Sequence, residues 1–176
     1  MTKQANAFST KAITYSGIGI AIAIIMNQIS IYKMPQGGSV TLISMFFITV
    51  LGYWFGLKVG LIAGVAMGLM NMVLGGVMIT AAGAILDYPL AFGMLGLSAL
   101  FRKQKNGLMT GYLFAGIMRY LVHVVSGILI WYMYTPEGWN YILWSFVYNT
   151  FMFPEMVATL VILSIPSFRR VIDKLA

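Results

Sequence analysis

Six long stretches of mostly apolar sequence constrain most strongly how this chain of 176 residues can fold. An α-helix needs about 20 mostly apolar residues to cross the hydrocarbon core of a bilayer. Charged residues, Gly and Pro divide the chain into segments of about that length. They cover residues 12–32, 40–57, 59–76, 78–101, 108–133 and 141–166. We therefore predict an all-α integral membrane protein, with six transmembrane helices in one bundle and a single domain over residues 1–176.

The composition argues against a water-soluble fold. Hydrophobic residues make up 60% of the chain and charged residues 9%, whereas a soluble domain carries about 25% charged residues. So little charge leaves too little polar surface to cover a globule in water. Cysteine is absent, which excludes a disulfide framework and a thiolate metal site.

The basic residues predict the orientation, because Lys and Arg accumulate in the short cytoplasmic loops of membrane proteins. In the six-helix arrangement only Lys33 falls on the opposite side. The basic residues on the common side are Lys3, Lys11, Lys58, Arg102, Lys103, Lys105, Arg169, Arg170 and Lys174. We expect a plasma-membrane protein with both termini in the cytoplasm. This sorting explains the net charge of +7 without a nucleic-acid partner.

Four ionisable residues lie inside the predicted helices: Asp87, Arg119, His123 and Glu155. Inserting an Asp or Arg near the centre of such a helix costs ~2.5–3.5 kcal/mol, so these residues usually face the bundle interior and a partner. From their positions along the predicted helices, Asp87 and Arg119 lie at similar depths and can meet near mid-membrane. Asp87 is then either half of a structural ion pair or a ligand contact. Pro89 removes a backbone donor beside it and predicts a loosened helix.

The fifth stretch carries polar and aromatic residues at every fourth position. These residues are Arg119, His123, Gly127 and Trp131. Residues four apart are offset by only about 40° around a helix, so they form one slowly winding stripe. The sixth stretch returns past this stripe with Trp144, Tyr148 and Asn149. The pattern predicts a pocket in the outer half of the bundle, loaded from outside.

The side chains around this pocket favour a small, planar, nitrogen-rich ligand, including a cationic one. Asp87 offers a carboxylate, and Asn149 offers a donor and an acceptor. Tyr88, Trp131 and Trp144 offer flat faces for stacking or cation–π contact.

Structural interpretations of the same residues remain open. His123 can be a satisfied interior histidine, and Gly127 can simply allow close helix packing. Trp131 can belong to an interfacial aromatic belt. For Glu155, which follows Pro154, we favour a local structural role.

Four fragments in order along the chain resemble a known family. They are "MPQGGSVTLISM", "LDYPLAFGMLGL", "RYLVHVVSG" and a "YN" followed by "PE". Together they resemble the thiamine-specific S component, the substrate-binding membrane subunit, of energy-coupling factor (ECF) transporters. The resemblance covers essentially the whole chain.

The resemblance implies a subunit that binds thiamine with high affinity and has no motor of its own. In that family, an acidic residue followed by tyrosine contacts the aminopyrimidine, and here these are Asp87 and Tyr88. The resemblance also places pocket residues on the last two helices: Arg119, His123, Gly127, Trp131, Trp144 and Asn149. Family members also carry Glu, Lys and Tyr at the positions of Asp87, Arg119 and Trp144, so the pocket dimensions differ.

The chain lacks the Gly-rich phosphate loop of an ATPase, so a partner must supply the energy for transport. The resemblance implies an ECF transmembrane coupling subunit and two ATPase subunits. In S components a small-residue face on the first helix docks the coupling subunit. The matching residues are Gly17, Gly19, Ala21 and Ala23. Alternatively, these residues pack inside the bundle.

Two other functions remain as alternatives. The first is an S component or a self-sufficient carrier for another small planar vitamin or pyrimidine. The second is an intramembrane enzyme that uses His123 with Asp87 or Glu155 as acid and base. The enzyme is the weaker alternative, because no nucleophile, metal cluster or phosphate motif accompanies the histidine. We therefore predict a non-enzymatic subunit with no catalytic residue, metal or cofactor besides its ligand.

Overall fold

The structure, a computed structural model, describes residues 9–175 and is mostly helical; Lys3 lies outside this range. Its helices are α1 (Thr10–Gln28), α2 (Ser44–Phe55), α3 (Leu57–Val73), α4 (Ala81–Phe101), α5 (Gly107–Leu129), α6 (Tyr141–Ser164) and α7 (Pro166–Leu175). By length and composition, α1, α4, α5 and α6 are able to cross a membrane, whereas α2 and α3 are shorter apolar helices. Each predicted stretch overlaps one of α1–α6. That all six cross the bilayer stays a prediction.

The all-α prediction is wrong in the first loop, which forms a β-hairpin. Strand β1 (Ser30–Lys33) pairs antiparallel with β2 (Ser39–Thr41). The turn between them contains Pro35 and Gly37, and Gly37 has a φ of 90° that suits glycine. A short hairpin signal of this kind is hidden in a sequence dominated by long apolar runs.

Helix α7 was not predicted because it is amphipathic and not continuously apolar. Phe168 and Ile172, four residues apart, face the bundle, where the Phe168 ring lies 5.7 Å from the ring of Phe46. The indole Nε1 of Trp54 donates to the backbone oxygen of Ile172 at 3.0 Å. These contacts fix α7 against α2.

Small residues bring α4 close to its neighbours. A Cβ atom on Gly96 of α4 would lie 2.7 Å from the backbone oxygen of Gly60 in α3, so the two backbones are nearly in contact. Such close approach is how helices associate in lipid, where apolar burial between helices brings little gain. The largest fully buried side chains come from five of the helices: Ile48, Leu51, Met67, Leu95, Tyr112 and Leu163.

Two irregular turns shape the helices at one end of the bundle. In α4 the turn Leu86–Leu90 is a π-turn, in which the N–H of Ala91 reaches back to the oxygen of Leu86. Pro89 lies inside this turn and cannot donate a backbone hydrogen bond. The predicted loosening at Pro89 is confirmed. In α6 a tight 3₁₀ turn, Asn149–Met152, precedes Pro154.

Candidate ligand-binding site

A cavity of about 430 Å³ opens among α3–α6, beneath the hairpin. Its volume lies within the range of small-molecule sites, about 300–1,000 Å³. All eight residues predicted to contact a ligand line it: Asp87, Tyr88, Arg119, His123, Gly127, Trp131, Trp144 and Asn149. The four-residue spacing on α5 thus places its stripe along one cavity wall. That these residues bind a ligand stays a prediction.

Asp87 is held by two neutral donors. Its Oδ2 accepts a hydrogen bond from the indole Nε1 of Trp131 at 2.9 Å. Its Oδ1 lies 3.2 Å from Nδ1 of His123. The structural ion pair with Arg119, one of the two interpretations of Asp87, is not formed, because within residues 9–175 the acid–base pair within 4 Å joins Asp87 to His123. Each carboxylate oxygen has a second lone pair and can accept a further hydrogen bond from a ligand.

The contact with Asp87 also determines what His123 can offer. An ionised carboxylate only accepts, so Nδ1 of His123 must carry the proton and donate. In a neutral imidazole Nε2 is then an acceptor. Nε2 is buried and has no hydrogen-bond partner within residues 9–175. His123 thus lines the cavity and orients Asp87, while its Nε2 is enclosed by protein atoms.

Arg119 is a buried cation in the cavity wall. Its guanidinium carbon lies 3.9 Å from the centre of the Phe92 ring, in a cation–π contact. Its Nε is buried without a hydrogen-bond partner in the described chain. This nitrogen is enclosed by protein atoms, so Arg119 contributes a buried positive charge to the cavity wall.

Gly127 and Asn149 join α5 to α6. A Cβ atom on Gly127 would overlap Oγ of Ser145, so the glycine both lines the cavity and allows close packing. The amide nitrogen of Asn149 donates to the backbone oxygens of Ser145, at 2.8 Å, and His123, at 3.3 Å. The Asn149 side-chain oxygen accepts no hydrogen bond from residues 9–175 and remains available as an acceptor.

Three rings on α6 form an aromatic wall, which consists of Trp144, Tyr148 and Phe151. The ring centres of Trp144 and Tyr148 are 6.0 Å apart, and those of Tyr148 and Phe151 are 5.8 Å apart. The wall lines the cavity, as Asp87 does. This arrangement suits a flat or cationic ligand, since aromatic faces attract both.

The Tyr88 side chain contacts the loop after α3. Its hydroxyl donates to the backbone oxygen of Val77 at 3.2 Å. A Cβ atom on Gly76 would come within 2.6 Å of the same hydroxyl oxygen, so only glycine fits beneath this ring. Tyr88 thus shapes the cavity with its ring while its hydroxyl holds the loop.

Sequence reasoning missed the cavity residues whose partners are distant in the chain. The amide of Asn27 donates to Asn71 Oδ1 at 2.5 Å and ties α1 to α3 at the cavity. The hydroxyl of Tyr148 accepts from the backbone N–H of Gly38 in the hairpin turn at 3.3 Å. An Asn in an apolar helix is a usable signal for such contacts, but it does not reveal the partner.

Glu155 has a structural role, but a long-range one and not the local role favoured by the sequence, and it also lines the cavity. Its Oε1 accepts from the backbone N–H of Met45 at 2.9 Å and from the hydroxyl of Ser44 at 3.1 Å. Its Oε2 accepts from the hydroxyl of Thr41. Because Ile43, the residue before α2, supplies no side-chain cap, Glu155 caps α2 from across the bundle.

The small residues of α1 divide into two faces. Gly17 and Ala21 are exposed. Ala23 is fully buried, and a Cβ atom on Gly19 would lie 3.1 Å from the side chain of Leu51. Gly19 and Ala23 therefore pack inside the bundle, and only Gly17 and Ala21 remain open to another helix.

Within residues 9–175, no cluster of three or more metal-ligating side chains is present. The cavity instead combines one oriented carboxylate, a histidine, an arginine and an aromatic wall. Chemically, this set can hold a flat molecule with polar groups at its edge and positive charge on its rings.

Comparison with known proteins places the chain among membrane transporters. The profile of the family described as thiamine transporter protein (Thia_YuaJ) matches residues 13–172. The thiamine transporter ThiT of Bacillus subtilis (strain 168) is 30% identical over 160 residues, which cover 81% of this chain and 83% of that protein. The thiamine transporter ThiT of Lacticaseibacillus paracasei is 36% identical over 78 residues, 37% of this chain and 39% of that protein.

A solved structure shares the fold. ThiT from Listeria monocytogenes superposes with a TM-score of 0.71 and 22% sequence identity, over 93% of this chain and 92% of that chain. At this identity the likeness supports the fold alone. The two curated relatives are named as transporters and not as enzymes.

Proposed function

Since this chain belongs to the thiamine transporter protein family, we propose that it captures thiamine in the cavity as the substrate-binding subunit of an ECF transporter. The observation that carries this proposal is the orientation of Asp87. Its carboxylate is fixed by Trp131 and His123 in a cavity with an aromatic wall. Thiamine has an aminopyrimidine with an exocyclic amine and a positively charged thiazolium, and the cavity offers a partner for each.

The aminopyrimidine is assigned to the Asp87 side of the cavity. Its amino group donates to the carboxylate, and hydrogen bonds of this charge-assisted kind are about twice as strong as neutral ones. The side-chain oxygen of Asn149 is a further acceptor for N–H groups. Tyr88 supplies a ring face beside them.

The thiazolium is assigned to the aromatic wall. A cation over an aromatic face gains about 0.5–2 kcal/mol, and more when it is desolvated. Arg119 already occupies the face of Phe92. The family also carries tyrosine at the position of Trp144. The indole is larger than a tyrosine ring, so it narrows the cavity on this side.

We further propose that all six helices α1–α6 cross the membrane and that both termini are cytoplasmic. Lys33 lines the cavity, whereas Lys105, Arg169 and Arg170 lie around the start of α5 and the end of α6, at the opposite end of the bundle. The basic end is therefore cytoplasmic by the positive-inside rule. The cavity then faces outside, where thiamine is captured.

Transport requires partners in this proposal. The exposed face at Gly17 and Ala21 on α1 docks the transmembrane coupling subunit, since small residues let a second helix approach closely. Two ATPase subunits bound to the coupling subunit supply the energy. This chain supplies recognition of the ligand.

Competition binding tests the ligand assignment. Purified protein is equilibrated with radiolabelled thiamine and challenged with unlabelled thiamine, its separate aminopyrimidine and thiazole halves, riboflavin or biotin. We expect unlabelled thiamine to displace the labelled vitamin from one site per protein and the pyrimidine half to displace it weakly. Riboflavin and biotin should leave it bound. Stronger competition by another planar vitamin would reassign the ligand while leaving the transporter fold in place.

Uptake into cells tests the coupling. With this chain and the ECF partners co-expressed, thiamine should accumulate and ATP depletion should abolish accumulation. Accumulation by this chain alone would contradict the partner requirement and support a self-sufficient carrier.

A further inference from the structure

A second cavity, of about 210 Å³, lies at the end of the bundle opposite the candidate site. It is formed by the loop before α5, the first turn of α5 and the junction of α6 with α7. Along α5, its first residue Gly107 is roughly 24 Å from His123 at about 1.5 Å per residue. The second cavity is therefore separate from the ligand site.

The lining of the second cavity is strongly basic. Lys105, Arg169 and Arg170 face it, with Asp173 as the acidic residue. Asp173 accepts a hydrogen bond from the hydroxyl of Tyr53 at 3.4 Å. In residues 9–175, the acid–base pair within 4 Å is that of Asp87 with His123. None of the three cations therefore has a described carboxylate within that distance. The cavity thus carries an excess of positive charge, with three cations against the one carboxylate of Asp173.

Arg169 has an unfilled donor in this cavity. Its Nη1 donates to the side-chain oxygen of Asn106 at 3.3 Å, which leaves the guanidinium only partly satisfied. Its Nε is buried and has no partner in residues 9–175. The Arg169 side chain as a whole is only partly buried, so the remaining Nη donors of its guanidinium can bind an acceptor that enters the cavity.

Packing fixes the backbone that carries the two arginines. Helix α7 is anchored by Phe168 against Phe46 and by the hydrogen bond from Trp54 to Ile172. Arg169 and Arg170 directly follow Phe168, so their backbone positions are fixed by buried contacts. A site whose donors are already positioned loses less entropy when it binds.

We propose that this second cavity binds the phosphate group of a phospholipid headgroup or of a small soluble phosphate. Guanidinium groups bind phosphate oxygens in a planar, bidentate manner, and Lys105 adds a point charge. The start of α5 contributes the positive end of the helix dipole. Val171 and Leu175 on α7 are exposed apolar residues, 54% and 42% accessible, and they place a lipid-compatible surface beside the basic one.

Two charge-matched variants test the site. Lys105→Gln/Arg169→Gln removes two cavity cations, whereas Lys103→Gln/Lys174→Gln removes two exposed cations that do not line the cavity. Native mass spectrometry of the full-length protein measures bound phosphatidylglycerol against phosphatidylcholine. Equilibrium dialysis with labelled inorganic phosphate, at constant ionic strength, measures the soluble anion.

We expect the cavity variant to lose about 25-fold in affinity for phosphatidylglycerol, about fivefold per cation, with less than about twofold loss in the control. Inorganic phosphate binding with the same variant pattern would instead support a soluble phosphate as the occupant. Equal losses in both variants, or no binding of either probe, would overturn the proposal. Thermal unfolding confirms that the variants fold, and Lys105→Gln/Arg170→Gln replaces the first variant if it does not.

Discussion

At the scale of single residues, the central feature is a carboxylate oriented before a ligand arrives. Asp87 lies in the π-turn of α4, and Trp131 and His123 reach it from α5 and the segment just after it. Neutral donors hold the carboxylate without cancelling its charge. An arginine partner would have occupied the carboxylate, whereas the actual pairing leaves it able to accept a further hydrogen bond from an amino group of a ligand.

The indole of Trp131 provides the first test at this scale. Trp131→Phe keeps an aromatic ring but removes the hydrogen bond to Asp87, so the carboxylate loses one of its two anchors. We expect thiamine affinity, measured by isothermal titration calorimetry, to fall about tenfold, or about 1.4 kcal/mol.

Trp139→Phe is the matched control, since Trp139 is exposed and does not line the cavity. Its affinity should stay within about twofold of the wild type. Equal effects of the two substitutions would show that the hydrogen bond to Asp87 does not contribute to binding.

At the scale of helices and strands, the last helix organises the first loop. Glu155 on α6 binds Thr41 at the end of β2 and caps α2 through Ser44 and Met45. The hairpin above the cavity therefore depends on a residue more than 110 positions away in the chain. Ile43, in a left-handed conformation with φ 45°, makes the tight entry into α2.

Replacing this cap should destabilise the fold. In the wild type, two carboxylate oxygens accept hydrogen bonds from three donors. Glu155→Gln loses the negative charge and one of these two oxygens. We expect a loss of about 1–3 kcal/mol in the free energy of unfolding, seen as a lower thermal midpoint in detergent. Glu137→Gln, in an exposed loop, should leave the midpoint unchanged; an unchanged midpoint in Glu155→Gln as well would refute the capping role.

Replacing glycine by alanine should change the stability in opposite directions at two positions, one at the contact between α5 and α6 and one on the exposed face of α1. Gly127→Ala places a Cβ atom onto Ser145 Oγ, whose hydroxyl already donates to the backbone oxygen of Val124 at 2.8 Å. We expect lower stability and weaker thiamine binding, because the cavity wall must open. Gly17→Ala meets nothing within 4 Å.

Gly17→Ala should instead raise stability by up to about 1 kcal/mol through helix propensity. Thermal unfolding of both variants, with and without thiamine, measures the difference. Stabilisation by Gly127→Ala would contradict the close packing.

At the scale of the whole molecule, the sequence was most informative where a pattern repeats along one element. Arg119, His123 and Gly127 line the cavity because their four-residue spacing fixes one face of α5. Trp131 reaches the cavity from the segment that follows Leu129, the last residue of α5. The helices follow from long apolar runs for the same reason. The ion pair between Asp87 and Arg119 failed because depth in the membrane does not define the rotation of one helix against another, and the π-turn at Pro89 changes that rotation locally.

Contacts between distant segments could not be predicted. The hairpin, the Asn27–Asn71 contact and the amphipathic α7 all depend on partners that no local pattern identifies. The single unsatisfied nitrogens of Arg119 and His123 are likewise properties of the packed bundle.

In the proposed transporter, thiamine recognition and docking of the coupling subunit use different faces of this chain. Gly17→Leu/Ala21→Leu enlarges the exposed face of α1, far from the cavity lining, so a partner helix is blocked while the ligand site is intact. We expect thiamine uptake in cells with the ECF partners to fall at least about tenfold, with unchanged thiamine affinity of the purified protein.

Ala158→Leu enlarges an exposed small residue on α6 and should leave uptake unchanged. Normal uptake by the α1 double variant would exclude this face as the docking surface.

The central claim is that Asp87 holds thiamine, and a fluorescence titration of purified, ligand-free protein tests it most directly. Trp131 and Trp144 line the cavity, so thiamine should quench tryptophan emission and saturate at one equivalent. Asp87→Asn should fold normally and require about 10–100-fold more thiamine, whereas Asp173→Asn at the opposite end should match the wild type. Saturable quenching with the same affinity in Asp87→Asn would contradict the claim.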